Sequence, residues 1–219
     1  MNTVSKLALG LMGQLRPKPP ISPESAETIV LPPAVVHGGM PLMDALAARR
    51  SERDFAPTDL PLSLMSSLLW AAWGVNRPHG GRTAPSAMNA QEIDLYVALA
   101  SGAYLYDAAA HALRKVAPGD VRRVTGYQDF VDEAPMDLVF VASHPRLALV
   151  PVEQRARYAA AAAGAIAQNV YLFAASNGLS TVIRAWIDRG AIANALGLTH
   201  DEEVLLSQTV GYPRQQPVA

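Results

Sequence analysis

Residues 153–177 constrain the fold more than any other stretch, because they predict one long alanine-rich helix, apolar nearly all round and stopped by Gly178. A helix with so little polar surface has to be buried inside the subunit or against another one. The chain therefore needs a body that can enclose it. Of its 219 residues, 50% are hydrophobic and 17% are charged, which supports a sizeable core and excludes disorder as a description of the whole. Cysteine is absent, so disulfides, Cys-ligated metals and thiol nucleophiles are excluded. His37, His79, His111, His144 and His200 are scattered without an HxxxH or HExxH pair, and no metal site is expected. With a formal net charge of −1, the chain lacks the clustered Lys and Arg that displace counterions from polyanions, and nucleic acid is not an expected partner.

The N-terminal region reads differently from the rest. Lys6 precedes a short apolar stretch, residues 7–12, that cannot span a bilayer and lacks the apolar centre and cleavage site of a signal peptide. A cytoplasmic location with no membrane partner is the expectation. Pro17, Pro19, Pro20, Pro23, Pro32 and Pro33 exclude a continuous helix, so residues 1–37 read as an arm with an extended middle, of the kind that wraps a partner subunit. Residues 38–219 form the domain.

Within the domain, Leu42, Met43, Leu46 and Ala47 recur at helical spacing. A second helix is expected with Ser63 as N-cap, Leu64, Leu68, Leu69 and Ala72 inward, and Gly74 in a left-handed position at its end. A polar loop over 75–86 leads to a strand at 93–100 and its hairpin partner at 102–107. An amphipathic helix is expected over 121–132. Residues 136–143 are a nearly continuous apolar run that predicts a buried central strand. A strand at 181–187, a helix at 189–196 and a strand at 203–211 follow, with Pro213 ending regular structure. Helices and strands mix without strict βαβ alternation, so the class is α+β. No G-x-G-x-x-G follows a strand, and a Rossmann site is not supported.

Three clusters carry the chemistry. Arg49-Arg50-Ser51-Glu52-Arg53 ends an amphipathic helix and offers planar guanidiniums and a hydroxyl to a phosphate monoester, although alone it reads as a solvated basic helix end. Arg82-Thr83-Ala84-Pro85-Ser86-Ala87-Met88-Asn89-Ala90-Gln91 combines a turn at Pro85 and Ser86, small residues and two amides able to read an N–H/C=O edge, although alone it reads as an ordinary loop entering a strand. Gln168 and Asn169 stand inside the apolar helix and need partners, either across a subunit interface or on neighbouring backbone.

Taken together, R-R-S-x-R, A-P-S-A-x-N-x-Q, A-G-x-x-x-Q-N with G-L-S-T, and V-G-Y-P resemble the nitroreductase family of FMN enzymes, over residues 41–96 and 155–213 and more thinly between. The stretch 68–78 is similar to the bacterial branch that includes SagB-type dehydrogenases. The resemblance implies a central, mostly antiparallel sheet flanked by helices, in an interlocked homodimer with FMN at the subunit interface. It implies that Arg49, Arg50, Ser51 and Arg53 hold the phosphate and polar flavin edge, and that Pro85, Ser86, Ala87 and Asn89 cross to the ring, often from the second subunit. Residues 182–186, with Ile183 and Ala185, would turn a backbone N–H to flavin N5; Gly211 and Arg214 belong to the C-terminal turn, with Arg214 on the phosphate. Two departures stand out. Glu92 replaces a Lys that many relatives carry beside flavin N1/O2 and is expected to point away, with Arg184 the candidate for the missing positive charge. Ala185-Trp186 stand where Gly is common, and Trp186 is expected to narrow the substrate space. The implied activity is hydride transfer from NADH or NADPH through FMN to a small planar acceptor, nitroaromatic or quinone-like. The alternatives are a SagB-type dehydrogenase of azoline peptides and a flavin-binding protein without reductase turnover. Whether Arg77 and Arg82 contact substrate or shape their loop is left open by the sequence.

Overall fold

The structure, a computed structural model, describes residues 2–12 and 27–214. Pro17, Pro19, Pro20 and Pro23 of the arm lie outside the described residues. The helices are α1 (Thr3–Leu11), α2 (Leu42–Ala48), α3 (Leu62–Trp73), α4 (Val152–Ser176) and α5 (Arg189–Leu196). The strands are β1 (Thr28–Val30), β2 (Ile93–Leu99), β3 (Gly102–Asp107), β4 (Ala112–Pro118), β5 (Met136–Ser143), β6 (Ser180–Arg184) and β7 (Glu202–Gly211). They form one sheet in the order β1-β4-β3-β2-β5-β7-β6, with every described pairing antiparallel.

The apolar run of β5 has the expected bounds and sits between β2 and β7. Its side chains alternate between two packed faces. Leu138 and Phe140 join Leu95 and Val97 of β2 against α3 and α4, while Val139 and Val141 join Tyr96 and Ala98 against Ile192 of α5. A strand with both faces covered needs no polar alternation, which is why this segment reads as a solid apolar run.

α4 packs on α2, α3, β6 and β7. Its buried positions include Ala159, Ala162, Ala163, Ala167 and Ala174, small side chains that let neighbours approach closely. By length and composition α4 could cross a membrane, but this packing is that of a core helix. Its N-terminal part is open: Val152 is 72% exposed and Tyr158 39%.

Three helices begin directly after a proline, Pro41 before α2, Pro61 before α3 and Pro151 before α4, each without a side-chain cap. Proline fixes φ near the helical value and has no N–H to leave unpaired, so it starts a helix without a hydroxyl. The expected Ser63 cap is therefore displaced, and Ser63 lies inside α3. Gly74 is also extended (φ −71°, ψ 162°), not left-handed. Its glycine identity answers to space: a Cβ there would lie 2.5 Å from Trp70 Cδ1 and 2.6 Å from the Trp70 carbonyl oxygen.

The helix expected over 121–132 is two short 3-10 turns, Arg122–Val124 and Asp129–Asp132. The Arg122 side chain is buried on Asp120 (2.7 and 2.8 Å) and the Ala134 carbonyl (2.7 Å). Between the turns, the Arg184 guanidinium fills the space a Cβ of Gly126 would need, 2.1 Å from Nη1. These tertiary demands override the amphipathic pattern.

β4 has no counterpart in the sequence reading. It pairs with β3 and with β1 from the end of the arm, Thr28 opposite Arg114 and Val30 opposite Ala112. The arm thus ends as the sheet's edge strand in its own chain. At its start, α1 docks through Lys6, whose Nζ lies 3.0 Å from Asp132 Oδ1 and donates to the Gln128 carbonyl at 2.8 Å.

Candidate active site

The arginine cluster follows α2 and is clipped onto β6. The Glu52 N–H donates to the Thr181 carbonyl (3.0 Å), and its carboxylate accepts from Ser180 Oγ (2.7 Å) and pairs with Arg50. The Ser180 hydroxyl first, and Arg50 second, hold the Glu52 carboxyl below the usual range. Arg50 is therefore partnered within the segment. Four residues after Glu52, the chain continues beside the C-terminal turn through an Ala56 N–H to Tyr212 carbonyl bond (2.9 Å).

Tyr171 of α4 ties this cluster to β6. Its hydroxyl lies 2.7 Å from Ser51 Oγ and accepts the Ile183 N–H at 3.0 Å, and the Arg49 guanidinium stacks over its ring at 5.3 Å. Nothing in the motifs singled out Tyr171; it reads as one more aromatic on an apolar helix. Arg53 is exposed and, among the described residues, has no ion pair. Arg49, Ser51 and Arg53 thus present two guanidiniums and a hydroxyl that can meet a phosphate. A cavity of about 280 Å³ next to the segment is lined by Arg50, Glu52, Tyr171, Thr181 and Pro213, and not by Arg49, Ser51 or Arg53.

Arg214 and Gly211 serve the fold in this structure. Arg214 donates to Asp54 Oδ1 (2.9 Å), Glu133 Oε2 (2.6 Å) and the Phe55 carbonyl (3.1 Å), and the Glu133 carboxylate foremost raises its pKa. A phosphate reaching Arg214 would meet two carboxylates already there. A Cβ on Gly211 would lie 2.7 Å from Pro135 Cδ and 3.3 Å from Phe55 Cδ1, so close packing demands glycine.

At the end of β6 the expected donors change. The Ile183 N–H is used by Tyr171. Past the last register pair, Arg184 with Ser207, Ala185 and Trp186 are exposed, and among the described residues neither backbone N–H has a partner. Two adjacent free donors are what a ring nitrogen can use. Trp186 is 62% exposed and meets Tyr127 with ring centroids 5.6 Å apart.

Arg184 does not carry the role expected of it. Its guanidinium turns into the interior, onto Asp137 Oδ1 at 2.7 Å and over the Phe130 ring at 5.5 Å. Alternation along β6 explains this, because Thr181 and Ile183 face α4 and Arg184 must face the other side. Its charge is neutralised where it lies.

In the segment 85–91, Pro85, Met88 and Asn89 are exposed, while Ala90 packs on the core. Met88, Asn89 and Gln91 all adopt left-handed backbone (φ 54°, 53° and 51°), a conformation that costs non-glycine residues energy and tends to mark functional sites. Ser86 holds it by accepting the Gln91 N–H on Oγ (2.9 Å) and the Asn89 N–H on its carbonyl (3.1 Å). Ala87 accepts the Ala90 N–H (3.0 Å). Glu92 is fully buried, with both carboxylate oxygens unpartnered, and burial raises its pKa. Arg82 braces the loop, donating to Gln91 Oε1 (2.8 Å) and lying over the Trp73 ring (5.4 Å); Arg77 donates to the Arg82 carbonyl (3.3 Å).

The profile of the nitroreductase family matches residues 46–212, which takes in the arginine cluster and reaches the start of the C-terminal turn. The chain belongs to the nitroreductase family. This makes it an oxidoreductase of flavin-linked type, and its α+β antiparallel sheet is the family fold. A nitroreductase from Ralstonia eutropha of solved structure is 48% identical and superposes with a TM-score of 0.87, covering 92% of this chain and 96% of that one. A nitroreductase of Methanocaldococcus jannaschii is 33% identical over 151 residues, 64% of this chain and 76% of that protein. At the level of fold alone, the chain resembles the NADPH:FMN oxidoreductase of Vibrio harveyi, with 21% identity and a TM-score of 0.57 over 81% of this chain and 71% of that one.

Proposed function

We propose that this nitroreductase-family protein binds FMN and passes reducing equivalents from NADH or NADPH to a small planar acceptor, working as a homodimer in the cytoplasm. The observation that carries the reading is Tyr171. One hydroxyl joins Ser51 to Ile183, and so fixes the phosphate-type cluster at a set distance from the free N–H groups of Ala185 and Trp186. A flavin mononucleotide needs both: a cation site at one end and a donor at its ring.

FMN, when bound, would supply the hydride-transfer chemistry between nicotinamide and acceptor. The chain's own residues bind and orient. Arg49, Ser51 and Arg53 receive the phosphate, and the Ala185 and Trp186 N–H groups address the ring edge. Trp186, with Tyr127 against it, walls the space in front of that turn and limits the acceptor's size. No side chain has to act as nucleophile or general base.

Dimerisation answers an apolar surface. On α2 only Ala45 is buried, while Leu42, Met43 and Leu46 are 63%, 73% and 43% exposed. An apolar helix face left open beside the C-terminal end of α4 calls for a partner, and the exposed 85–89 segment would then reach the second subunit's ring.

The test is the absorption spectrum of the purified protein, with release and identification of any yellow chromophore, followed by NADH and NADPH oxidation with and without a quinone. FMN near one per subunit with acceptor-dependent turnover supports the proposal. A colourless protein that takes up no added FMN overturns it, and bound FMN without turnover supports the binding-protein alternative.

A further inference from the structure

A second cavity, of about 410 Å³, lies at the β2–β3 end of the sheet and shares no lining residue with the one beside Arg50. Three guanidiniums reach it, Arg82, Arg114 and Arg146, against two carboxylates, Asp94 and Asp107. Two of the three are matched. Arg114 pairs with Asp107 Oδ2 through Nε and Nη2 (2.9 and 2.5 Å), and Arg146 pairs with Asp94 Oδ1 (2.9 Å).

Arg82 is the one left over. Among the described residues it has no carboxylate within ion-pair distance; its bonds go to the Gln91 amide oxygen and, at 3.3 Å, to the Trp73 carbonyl. It is half-buried, and burial lowers its pKa. Asp94 and Asp107 act on it only at a distance, their carboxylates being held by Arg146 and Arg114, and a partly desolvated cation with no direct ion pair, inside a recess, can take an anion. Ile93, Leu105 and Ala108 line the same recess and add apolar wall.

We propose that this cavity binds a small organic carboxylate, its charge on Arg82 and the edges of Arg114 and Arg146, its apolar body against Ile93 and Leu105. The net single positive charge of the lining matches a monoanion better than a phosphate dianion. The ligand would lie one side chain from the exposed segment, because Gln91 accepts from Arg82 on Oε1 and donates through Nε2 to Asn89 Oδ1 (3.2 Å) and Gly80 (2.9 Å). The site does not depend on the flavin reading.

The experiment is calorimetric titration of the full-length protein with benzoate, with benzamide as the neutral analogue and inorganic phosphate as the alternative anion. Benzoate should bind and benzamide should not. Arg82→Gln should weaken benzoate by about tenfold or more, as loss of a charge-assisted partner does, and Arg114→Gln should weaken it less. Arg82→Lys, which keeps the charge, should retain part of the binding and shows that loss in Arg82→Gln is not loss of the loop; circular dichroism confirms that each variant folds. Absence of benzoate binding, equal binding of benzamide, or tighter binding of phosphate overturns the proposal. So does binding that survives Arg82→Gln and disappears in Arg49→Gln, which would put the anion at the other cluster. Because no arm of the test needs flavin, a protein that fails to take up FMN can still pass it.

Discussion

Arg184→Met should unfold this protein far more readily than its place at the end of an edge strand suggests. The side chain is 5% exposed and faces Asp137, which is 0% exposed in the central strand β5. Removing one member of a buried ion pair strands the other, a loss of about 3–5 kcal/mol. For a domain of this size that is a fall in Tm of roughly 6–20 °C. Thr209 also donates to Asp137 Oδ1, which places the expected value towards the lower end. The pair is imperfect: Asp137 Oδ2 and Arg184 Nε and Nη1 have no partners. Replacing both residues, as Arg184→Met with Asp137→Leu, should therefore recover most of the loss, since an apolar pair escapes the desolvation that the charges suffer.

The dependence on pH makes the test specific. In the native protein, burial pushes the Asp137 carboxyl up and Arg184 pulls it down. Without Arg184 the pull that remains comes only from the Thr209 and Thr125 hydroxyls and from Arg122, so burial drives the carboxyl higher and the folded variant holds a proton that its unfolded chain releases. A folded pKa above the unfolded one means stability that is present at low pH and lost as pH rises through the folded pKa. The variant's deficit should be smaller at pH 5 than at pH 8, measured by urea unfolding at both. A deficit that is equal at the two pH values, or a double variant no more stable than the single one, would refute the buried-charge argument.

Other outcomes follow from the same structure. Tyr171→Phe removes the hydroxyl shared by Ser51 and Ile183, which should cost about 1–3 kcal/mol for the unsatisfied N–H and weaken FMN uptake in a fluorescence titration; unchanged uptake removes Tyr171 from the site. Gly211→Ala should destabilise by about 1–3 kcal/mol through overpacking on Pro135, with flavin content of the folded fraction unaltered, as read by denaturation and absorbance. Trp186→Ala should raise kcat/KM for a bulky quinone relative to a small one, and an unchanged ratio means that Trp186 does not wall the acceptor space. His111 bonds Ser66 Oγ (2.7 Å) and Tyr106 (3.0 Å) beside the Pro32 carbonyl. Burial keeps its pKa below the ordinary 6.5, so the stability it contributes is complete above that value and is lost as pH falls through the folded pKa. His111→Gln should flatten the decline in urea midpoint between pH 7 and 5.

Legibility in the sequence followed how local the cause was. α4, β5 and α5 were readable because their patterns are set by burial on every side or by one apolar stripe, and a window of the chain contains all of that. β4 was not, because its pattern is weakened by the exposed Arg114 and Val116 and its pairing with β1 depends on an arm residues away. The turns around Gly126 were missed for a related reason: Arg184, far along the chain, occupies the space that a helix there would need.

The candidate site shows the same division. Motif spacing brought Arg49, Ser51 and the end of β6 to notice as separate clusters, yet the group that joins them, Tyr171, belongs to no motif and lies on a helix whose other residues are core. Arg184 was misjudged because the reading used its neighbourhood along the strand and not its side of the sheet; one residue of alternation separates the face of Ile183 from the face of Asp137. Arg82 is the converse case. Its loop position left open whether it contacts substrate or shapes the loop, and only the tertiary count of charges, two arginines in ion pairs and one not, makes it the candidate binding residue. Spacing along a chain can nominate functional side chains, but their roles depend on which partners the fold has already given them.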